Sequence, residues 1–323
     1  MAETNLAQAV EAASDASRYD TNVKYILADK QILTRILKYA VKEFQDMEIQ
    51  EIMESIGNDI EIGTKPVDAG LSNLGRVMGG ETEDSVPGEG KIFYDIRFTA
   101  YHKKSEIKFL INIEAQKSSD AGKLGYHLEN RIIFYLARMI SAQKQTEFYH
   151  SDFDNIKRVR SIWICMDNEE DGDSIEEIGL ERKTVFGNKE SADGTDLMKA
   201  VIINIREGDN LKDSGNTLIS MLEKVLSGMA AEEKRRILEE DYGMIMTTEL
   251  EERIQLMCNL SENIEAKGIR KGMEKGVERG RREERIKAIE NMIKIGIVKE
   301  QIISCGYTEE EFAEVEEMLL AGV

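Results

Sequence analysis

The sequence predicts an α/β protein in which a mixed β-sheet is flanked by helices and followed by a helical C-terminal extension. Short apolar runs rich in β-branched and aromatic residues alternate with segments whose apolar residues recur at a helical period. A helix and a loop come first, and three or four strands interrupted by a helix follow, an order that is typical of α/β chains. Only two prolines occur in 323 residues, which excludes collagen-like and low-complexity classes.

The N-terminal part predicts a helix followed by a long loop. Residues 25–44 place apolar side chains at a spacing near 3.6 residues, and Asp29 lies early in this segment, where an acid suits the helix dipole. Residues 48–56 predict a further short helix. The segment 57–90 is rich in glycine and contains both prolines, so we expect a long loop there, and long ordered loops are often functional.

The middle of the chain predicts the sheet. Four segments have the length and composition of strands: 91–101, 106–116, 159–166 and 197–205. The polar residues 102–105 join the first two segments as a hairpin, and residues 124–143 predict an amphipathic helix after it. An acidic, glycine-containing excursion over residues 167–196 separates the last two strands.

The C-terminal part predicts helices. Residues 217–265 have helical periodicity, and four glycines then recur at intervals of four, at Gly268, Gly272, Gly276 and Gly280. This spacing places the glycines along one stripe of a helix. The stripe is either a close-packing seam for a partner helix or a weak, solvated helix or linker, because each glycine costs about 1 kcal/mol relative to alanine.

The last segment, 292–320, predicts two helices around the turn 304–308. The second of these helices carries six Glu and no Lys or Arg, so DNA phosphates would repel it and we expect a protein contact instead. The predicted organisation is a tail (1–20), an α/β domain (21–215), a helical extension (216–266), and a glycine-spaced basic helix with a terminal helical hairpin (267–323).

Charge and missing motifs exclude several classes of protein. The net charge of −19 argues against a protein that coats nucleic acid, although residues 267–294 hold ten Lys or Arg and five Glu. The sequence contains neither a basic, apolar leader at its start nor an apolar run of membrane length, so we expect a cytoplasmic protein without a membrane partner. It contains no Walker-type loop and no HExxH, so neither a nucleotide cofactor nor zinc hydrolase chemistry is expected.

Two carboxylates in the predicted hairpin are the candidates for chemistry. Asp95 falls within the first strand, and Glu114 and Gln116 fall at the end of the second. An ionised carboxylate among apolar residues is costly, and a shared divalent cation is one way to compensate it. Because side chains alternate along a strand, Glu114 and Gln116 share a face with Asn112, and Lys117 points away unless a bulge intervenes. The alternative is a half-exposed strand with ordinary polar residues on its solvent-exposed face.

The pattern Asp95, eighteen residues, then Glu114-Ala115-Gln116 resembles the core motif of the PD-(D/E)XK nucleases, in the variant with Gln in place of Lys. Further segments resemble the branch of family transposases and recombination-promoting nucleases: VKYILADKQILTRILKYAVKEF, YDIRF, INIEAQK, ENRIIFYLARMISAQ, SIWICM and MCNLSENIEAKGI. The similarity spans nearly the whole chain. It implies a restriction-endonuclease-like mixed sheet and metal-dependent cleavage of DNA.

The resemblance also implies roles for individual residues. Asp95, Glu114 and the Ala115 carbonyl would hold Mg²⁺ or Mn²⁺, and Gln116 would orient the attacking water in place of the usual lysine. Gln cannot carry charge or accept a proton as Lys can, so the metal would have to do more of the water activation. Tyr94 stands where the parent motif has Pro. A further acid is often supplied upstream in this fold, and the candidates are Asp59, Glu61 and Glu43.

The helix predicted after the hairpin carries a second candidate feature. His127, Arg131, Tyr135 and Arg138 lie on one stripe beside an apolar stripe. Arg131 and Arg138 would hold phosphates of DNA, with Tyr135 donating a hydrogen bond. The alternative is a solvated helix edge with a half-buried aromatic residue.

These observations together predict a Mg²⁺-dependent DNA endonuclease of the transposase or recombination-promoting type. Its catalytic residues would be Asp95, Glu114 and Gln116, with Lys117 taking the place of Gln116 if the strand is bulged. Its partners would be DNA and a second copy of the chain, held through the C-terminal helices. The alternative is a catalytically inactive protein that keeps the nuclease fold as an interaction module, and the acidic net charge supports that reading.

Overall fold

A computed structural model describes residues 5–63, 83–86, 90–102, 107–168, 172–187, 196–206 and 214–320. The chain divides into two compact units, Met1–Ser261 and Glu262–Val323. The predicted boundaries were placed at residues 215 and 266, so the larger unit extends through most of the region that was predicted as a separate helical extension.

Helices occupy the N-terminal region from the first described residue. They are α1 (Asn5–Leu27), α2 (Lys30–Ala40), a 3₁₀ turn (Lys42–Phe44) and α3 (Ile49–Ser55). The predicted tail 1–20 is wrong, because most of it belongs to α1. The helix predicted over 25–44 is split at Asp29, whose side chain caps α2 by accepting a hydrogen bond from the Gln31 amide at 2.8 Å.

The described strands form a six-stranded mixed sheet and a separate two-stranded hairpin, so the protein is α/β as predicted. The strands are β1 (Glu61–Ile62), β2 (Glu83–Val86), β3 (Gly90–Phe93), β4 (Ile96–His102), β5 (Ile107–Gln116), β6 (Arg158–Asn168), β7 (Ser174–Gly179) and β8 (Met198–Arg206). The sheet order is β1-β4-β5-β6-β8-β7, and β2 pairs with β3. The pairs β5–β6 and β6–β8 are parallel, and the outer pairs are antiparallel.

Two predictions about the strands are corrected. The strand predicted over 91–101 is interrupted at Tyr94 and Asp95, between β3 and β4, so Asp95 lies at a break rather than inside a strand. Gly63 donates its amide to the Asp95 carbonyl at 2.7 Å, and a Cβ on Gly63 would lie 2.3 Å from the Tyr94 carbonyl oxygen, so only glycine permits this approach. The acidic excursion contains β7, which the sequence reading did not predict.

A helical segment crosses from β5 to the parallel strand β6 and covers one face of the sheet. It contains α4 (Ala121–Leu124) and α5 (Leu128–Ser141), which replace the single helix predicted over 124–143. The apolar residues of α5 pack with Leu110, Val159 and Trp163 in one core cluster. We call this side of the sheet the α5 face. Because Asn112, Glu114 and Gln116 alternate in phase with Leu110, they lie on the α5 face.

The opposite face of the sheet carries the larger core cluster. Here α1, α2 and α3 pack together with α6 (Thr217–Leu226), α7 (Ala231–Glu240) and the first part of α8 (Thr248–Lys294). Arg206 at the end of β8 joins α6 through a buried ion pair with Glu223, with its Nε 2.8 Å from Oε1. The helices after residue 216 therefore complete the α/β core.

The C-terminal unit contains the rest of α8 with α9 (Lys299–Ser304) and α10 (Glu309–Leu320). Ile289, Ile302, Phe312 and Val315 form its small core. Arg285 Nε lies 2.5 Å from Glu311 Oε1, and Arg282 NH2 lies 2.9 Å from Glu314 Oε2. The acidic helix α10 thus makes its contacts with the basic part of α8 inside the unit. Across the described part of the chain, no helix is both long and apolar enough to cross a membrane.

Candidate active site

The two predicted carboxylates are brought together where β5 ends and the chain breaks between β3 and β4. The Asp95 amide donates to Glu114 Oε1 at 3.2 Å. In return, the Ala115 amide donates to Asp95 Oδ2 at 3.1 Å. Each carboxylate is therefore bound by a backbone amide from the other strand segment, and the break at Asp95 is what frees these groups from the regular ladder of the sheet.

Glu114 lies deep on the α5 face, with only 2% of its surface exposed. Its Oε1 also accepts a hydrogen bond from Asn112 Nδ2 at 3.0 Å, and its Oε2 lies 3.8 Å from Arg131 NH2. Burial raises the pKa of the Glu114 carboxyl well above its usual range, and the charge of Asp95 raises it further, against the lowering effects of Arg131 and these hydrogen bonds. The site therefore favours a proton or a cation on this carboxyl.

Asp95 has a cationic partner that the sequence reading missed. Lys24, on α1, places its Nζ 2.8 Å from Asp95 Oδ1 and 3.1 Å from Asp20 Oδ2. Burial raises the pKa of Asp95 above its usual value, although Lys24 and the Ala115 amide act to lower it. Burial alone would lower the pKa of Lys24, but Asp95 and Asp20 raise it above its usual value, so the ammonium stays charged.

Arg131 on α5 connects Glu114 to Gln116. Its NH1 donates to Gln116 Oε1 at 3.2 Å and to the Tyr126 hydroxyl at 3.0 Å, and its NH2 donates to the Tyr135 hydroxyl at 3.0 Å. The guanidinium also lies over the rings of Tyr135 and Trp163. Burial and the nearby Glu114 raise the pKa of Tyr135 to about 12. Tyr135 therefore acts here as a neutral hydrogen-bonding group.

The predicted alternation around Gln116 agrees with the structure. Gln116 shares Arg131 with Glu114, whereas Lys117 follows the end of β5 and is exposed. The pairing of β5 with β6 runs in regular register from Phe109 to Gln116, so no bulge displaces Ala115. This geometry favours Gln116 over Lys117 as the neighbour of the carboxylates.

Other candidate residues lie away from this group. Arg138 is 3% exposed, so its guanidinium is not available to DNA phosphates, and we remove it from the predicted contacts. His127 is the exposed residue that precedes α5. Of the upstream acids, Asp59 accepts hydrogen bonds from the Thr99 hydroxyl, and Glu43 accepts one from Arg160.

Glu61, the third upstream acid, lies on β1 opposite Arg97. Asp20 is the acid that the structure brings towards Asp95, through Lys24. A signal for this pair exists in the sequence, because Asp20 and Lys24 are spaced i, i+4 as an intrahelical ion pair would be, but the segment up to residue 20 was assigned to a tail. Tyr126 was also missed, since it precedes α5 in a short connection.

The site offers only a few donor atoms that suit a hard cation. Among the described residues, no group of three or more His, Cys, Asp or Glu side chains is placed to hold a metal ion. Two carboxylates and a backbone carbonyl are nevertheless a set that suits Mg²⁺, which commonly keeps several water ligands and uses one or two protein carboxylates. Asn112 Oδ1 is buried without a hydrogen-bond partner within the described part of the chain, so it is free to accept a hydrogen bond from such a water.

The candidate site is thus assembled from α1, the break between β3 and β4, the end of β5, and α5. Its members are Asp20, Lys24, Asp95, Asn112, Glu114, Gln116, Tyr126, Arg131 and Tyr135. Comparisons of the chain with protein-family models, with curated proteins and with solved structures give no match.

Proposed function

We propose that this protein is a Mg²⁺- or Mn²⁺-dependent DNA endonuclease of the PD-(D/E)XK type, of the kind found among family transposases and recombination-promoting nucleases. The observation that carries the proposal is the reciprocal binding of Asp95 and Glu114 at the end of β5. Glu114 is buried and Asp95 is partly buried, with 17% of its side chain exposed. Two adjacent carboxylates in such surroundings repel each other and lose hydration, so the fold keeps them together at a cost that a bound cation offsets.

The arrangement of elements supports a restriction-endonuclease-like fold as part of the proposal. An antiparallel hairpin, β4–β5, is followed by a helical crossover and by β6, which lies parallel to β5. The motif residues then fall at the start of the first hairpin strand and at the end of the second, as the resemblance implies. The order of elements places Asp95 and Glu114 beside α5, which carries Arg131.

The reaction is hydrolysis of a phosphodiester. A water oxygen forms a bond to phosphorus and the water gives up a proton, while the bond from phosphorus to one sugar oxygen breaks and the departing sugar oxygen takes up a proton. When bound, the cation lowers the pKa of the attacking water and neutralises charge that develops on the phosphate oxygens. Asp95, Glu114 and the Ala115 carbonyl would hold the cation, and the raised pKa of Glu114 means that its proton must leave first.

Gln116 and Arg131 have supporting roles in this proposal. Gln116 remains uncharged at every pH, so it orients the attacking water through hydrogen bonds and does not remove its proton. Arg131 is partly exposed, with 27% of its side chain accessible, and its guanidinium can pass from Gln116 and Glu114 to a phosphate oxygen of DNA. Tyr135 holds Arg131 in place by accepting a hydrogen bond from its NH2, and Tyr135 is itself too buried to contact DNA directly.

Self-association through the C-terminal helices is a second part of the proposal. A Cβ placed on Gly272, Gly276 or Gly280 would meet nothing within 4 Å, so α8 is open at these three positions. Ile269, Met273 and Val277 are more than half exposed beside it. An open glycine stripe beside exposed apolar residues suits close approach of another helix backbone, and a second copy of α8 offers the same surface.

Incubation of purified protein with supercoiled plasmid DNA tests the proposed activity. Nicked or linear DNA is expected with MgCl₂ or MnCl₂, and intact plasmid is expected when a chelator is present. If the plasmid remains intact under every divalent cation, the nuclease proposal fails.

A catalytically inactive protein that uses this fold as an interaction module is the second candidate function. It is favoured by the net charge of −19 and by the ion pairs that Lys24 and Arg131 already make with the two carboxylates. A stable complex with a partner molecule, together with an intact plasmid in the cleavage assay, would support it.

A further inference from the structure

Lys24 is the most deeply buried cationic group of the candidate site. Only 5% of its surface is exposed, and its Nζ lies between Asp95 Oδ1 at 2.8 Å and Asp20 Oδ2 at 3.1 Å. Its neighbours on α1, Val23 and Leu27, are core residues. Packing of the helix alone would therefore favour an apolar side chain at this position, where the sequence has a lysine.

Burial of an ammonium is costly, and an ion pair seldom stabilises a fold more than a well-packed apolar pair of the same volume. The charge on Lys24 therefore calls for an explanation beyond the attachment of α1. Two of its three N–H donors face Asp95 and Asp20. Among the described residues the ammonium pairs with no further carboxylate, so the third donor is left for a water.

The charges around Asp95 and Glu114 suit an exchange of cations. Three carboxylates, of Asp20, Asp95 and Glu114, face two cationic groups, Lys24 and Arg131, a net charge of −1 when all five are ionised. A divalent cation bound to Asp95 and Glu114 changes this net charge to +1. Asp95 Oδ2 is already held by the Ala115 amide, so Oδ1, the atom paired with Lys24, is the one with a partner to exchange.

We propose that Lys24 and a divalent cation are alternative partners of Asp95 Oδ1, and that the ammonium released from Asp95 stays paired with Asp20 as a buried positive charge near the cation. This inference rests on the proposed nuclease function and adds to it a positive charge that Gln116 cannot carry. Lys24 holds Asp95 in position before the cation binds, and Asp20 holds Lys24 near the site afterwards.

Substitution of Lys24 by Met tests the exchange through Mg²⁺ affinity, measured by calorimetry with MgCl₂ in the absence of DNA. Because no ammonium competes for Asp95, we expect Lys24→Met to bind Mg²⁺ about tenfold or more tightly than the wild type. Lys24→Arg keeps the charge and pairs with a carboxylate through two donors, so its Mg²⁺ affinity should equal that of the wild type or fall below it. Equal affinity in all three proteins would overturn the exchange.

The contribution of the Lys24 charge to cleavage is tested with plasmid DNA at saturating MgCl₂. Lys24→Met should reduce kcat by about 10²-fold, and Lys24→Arg should recover a large part of that loss. Lys108→Met is the matched control, because Lys108 forms an ion pair of 2.6 Å with Glu147, outside the site, and should leave both Mg²⁺ affinity and kcat unchanged. An unchanged kcat in Lys24→Met would overturn the contribution of this charge to cleavage even if Mg²⁺ binds more tightly.

The outcomes for Lys24 are separable from those for the nuclease itself. If the wild type cuts DNA and Asp95→Asn does not, but Lys24→Met matches the wild type in both assays, only the inference about Lys24 fails. If the wild type neither binds Mg²⁺ nor cuts DNA, the proposed function fails and the inference with it. Should Lys24→Met not fold, Lys24→Gln, which keeps a hydrogen-bond donor without the charge, replaces it in both measurements with the same expectations.

Discussion

At the scale of single residues, Gln116 and Lys117 have different surroundings although they are neighbours in sequence. Gln116 accepts a hydrogen bond from Arg131, which also faces Glu114, whereas Lys117 is exposed beyond the end of β5. Because β5 pairs with β6 in regular register, no bulge moves Lys117 to the side that Gln116 occupies. Only the residue on the Glu114 side can orient a water at the carboxylates.

We therefore expect Gln116→Ala to lower the rate of Mg²⁺-dependent cleavage by about 10²-fold or more, as loss of a positioning group typically does. Lys117→Ala is the matched control and should have a milder effect. Gln116→Lys should retain activity with an altered pH dependence, because it adds a titratable amine. An inactive Lys117→Ala beside an active Gln116→Ala would transfer the role to Lys117.

The buried Glu114 carboxyl predicts a pH dependence for the stability of the metal-free protein. Its pKa is raised in the folded state, so its contribution to stability is complete below the unfolded pKa of about 4.3 and is lost as pH rises through the folded value. Glu114→Gln mimics the protonated form, so its stability lacks the pH-dependent contribution of the Glu114 carboxyl.

In chelator, the free energy of unfolding of the wild type should therefore fall relative to that of Glu114→Gln as pH rises from about 4 towards 8. Denaturant titrations of both proteins at several pH values measure this difference. A difference that stays constant, or that grows in favour of the wild type with pH, would contradict the assigned environment of Glu114.

The sequence allowed the two acids and Gln116 to be singled out, because strand alternation is a local property. It did not identify Lys24, since the contact with Asp95 joins residues that are distant in sequence and depends on how α1 packs. Arg138 shows the opposite error: it was predicted to contact DNA from the same helical stripe as Arg131, but Arg138 is buried and Arg131 is partly exposed.

At the scale of elements, most helices and strands followed from periodicity, and the exceptions have local causes. Asp29 ends one helix and caps the next, which a continuous apolar period conceals. The break at Asp95 depends on the contact with Gly63, which lies far away in the chain and is invisible to a strand pattern. In the edge strand β7, half of the residues are exposed and two are Glu, so its composition does not have the apolar character of an inner strand.

The glycine stripe of α8 leads to a prediction at this scale. Gly272 and Gly276 replaced together by Leu should weaken self-association, because the larger side chains hold two helix backbones apart. The isolated chain has room for both side chains, and each replacement of Gly should favour the helix by roughly 0.5–1 kcal/mol.

Light scattering measures the mass of the wild type, of the double Leu variant and of a double Ala control. The control raises helix propensity with the smallest added volume, so it should retain association better than the Leu variant. If the wild type and the Leu variant have the same mass, the glycines form a linker helix and not a seam.

At the scale of the whole molecule, the domain boundary predicted from the sequence differs from the one found in the structure. The boundary predicted at residue 215 separates the sheet from helices that complete its core. The buried apolar residues beyond it include Leu218, Met221, Leu222, Val225, Leu238, Leu250, Ile254 and Met257. Sequence periodicity predicted these helices correctly but carries no information about which surface they cover.

A chain that ends at residue 261 should therefore unfold cooperatively, whereas a chain that ends at residue 215 should not fold. Each buried apolar side chain contributes about 1.5–3 kcal/mol, so the loss of eight, roughly 12–24 kcal/mol, is as large as or larger than the roughly 5–15 kcal/mol by which a domain is stable. Circular dichroism during thermal unfolding measures whether each of the two shortened chains unfolds cooperatively. A cooperative transition in the shorter chain would restore the boundary at 215.

Asp95 and Glu114 are proposed to hold one cation together, and DNA cleavage by variants of these two residues tests this proposal. Asp95→Ala and Glu114→Ala are compared with the wild type on supercoiled plasmid in MgCl₂, with circular dichroism to verify that each variant is folded. Because each change removes a metal ligand rather than core packing, both folded variants should lose cleavage altogether. Cleavage at the wild-type rate by both variants would contradict the assignment of the site.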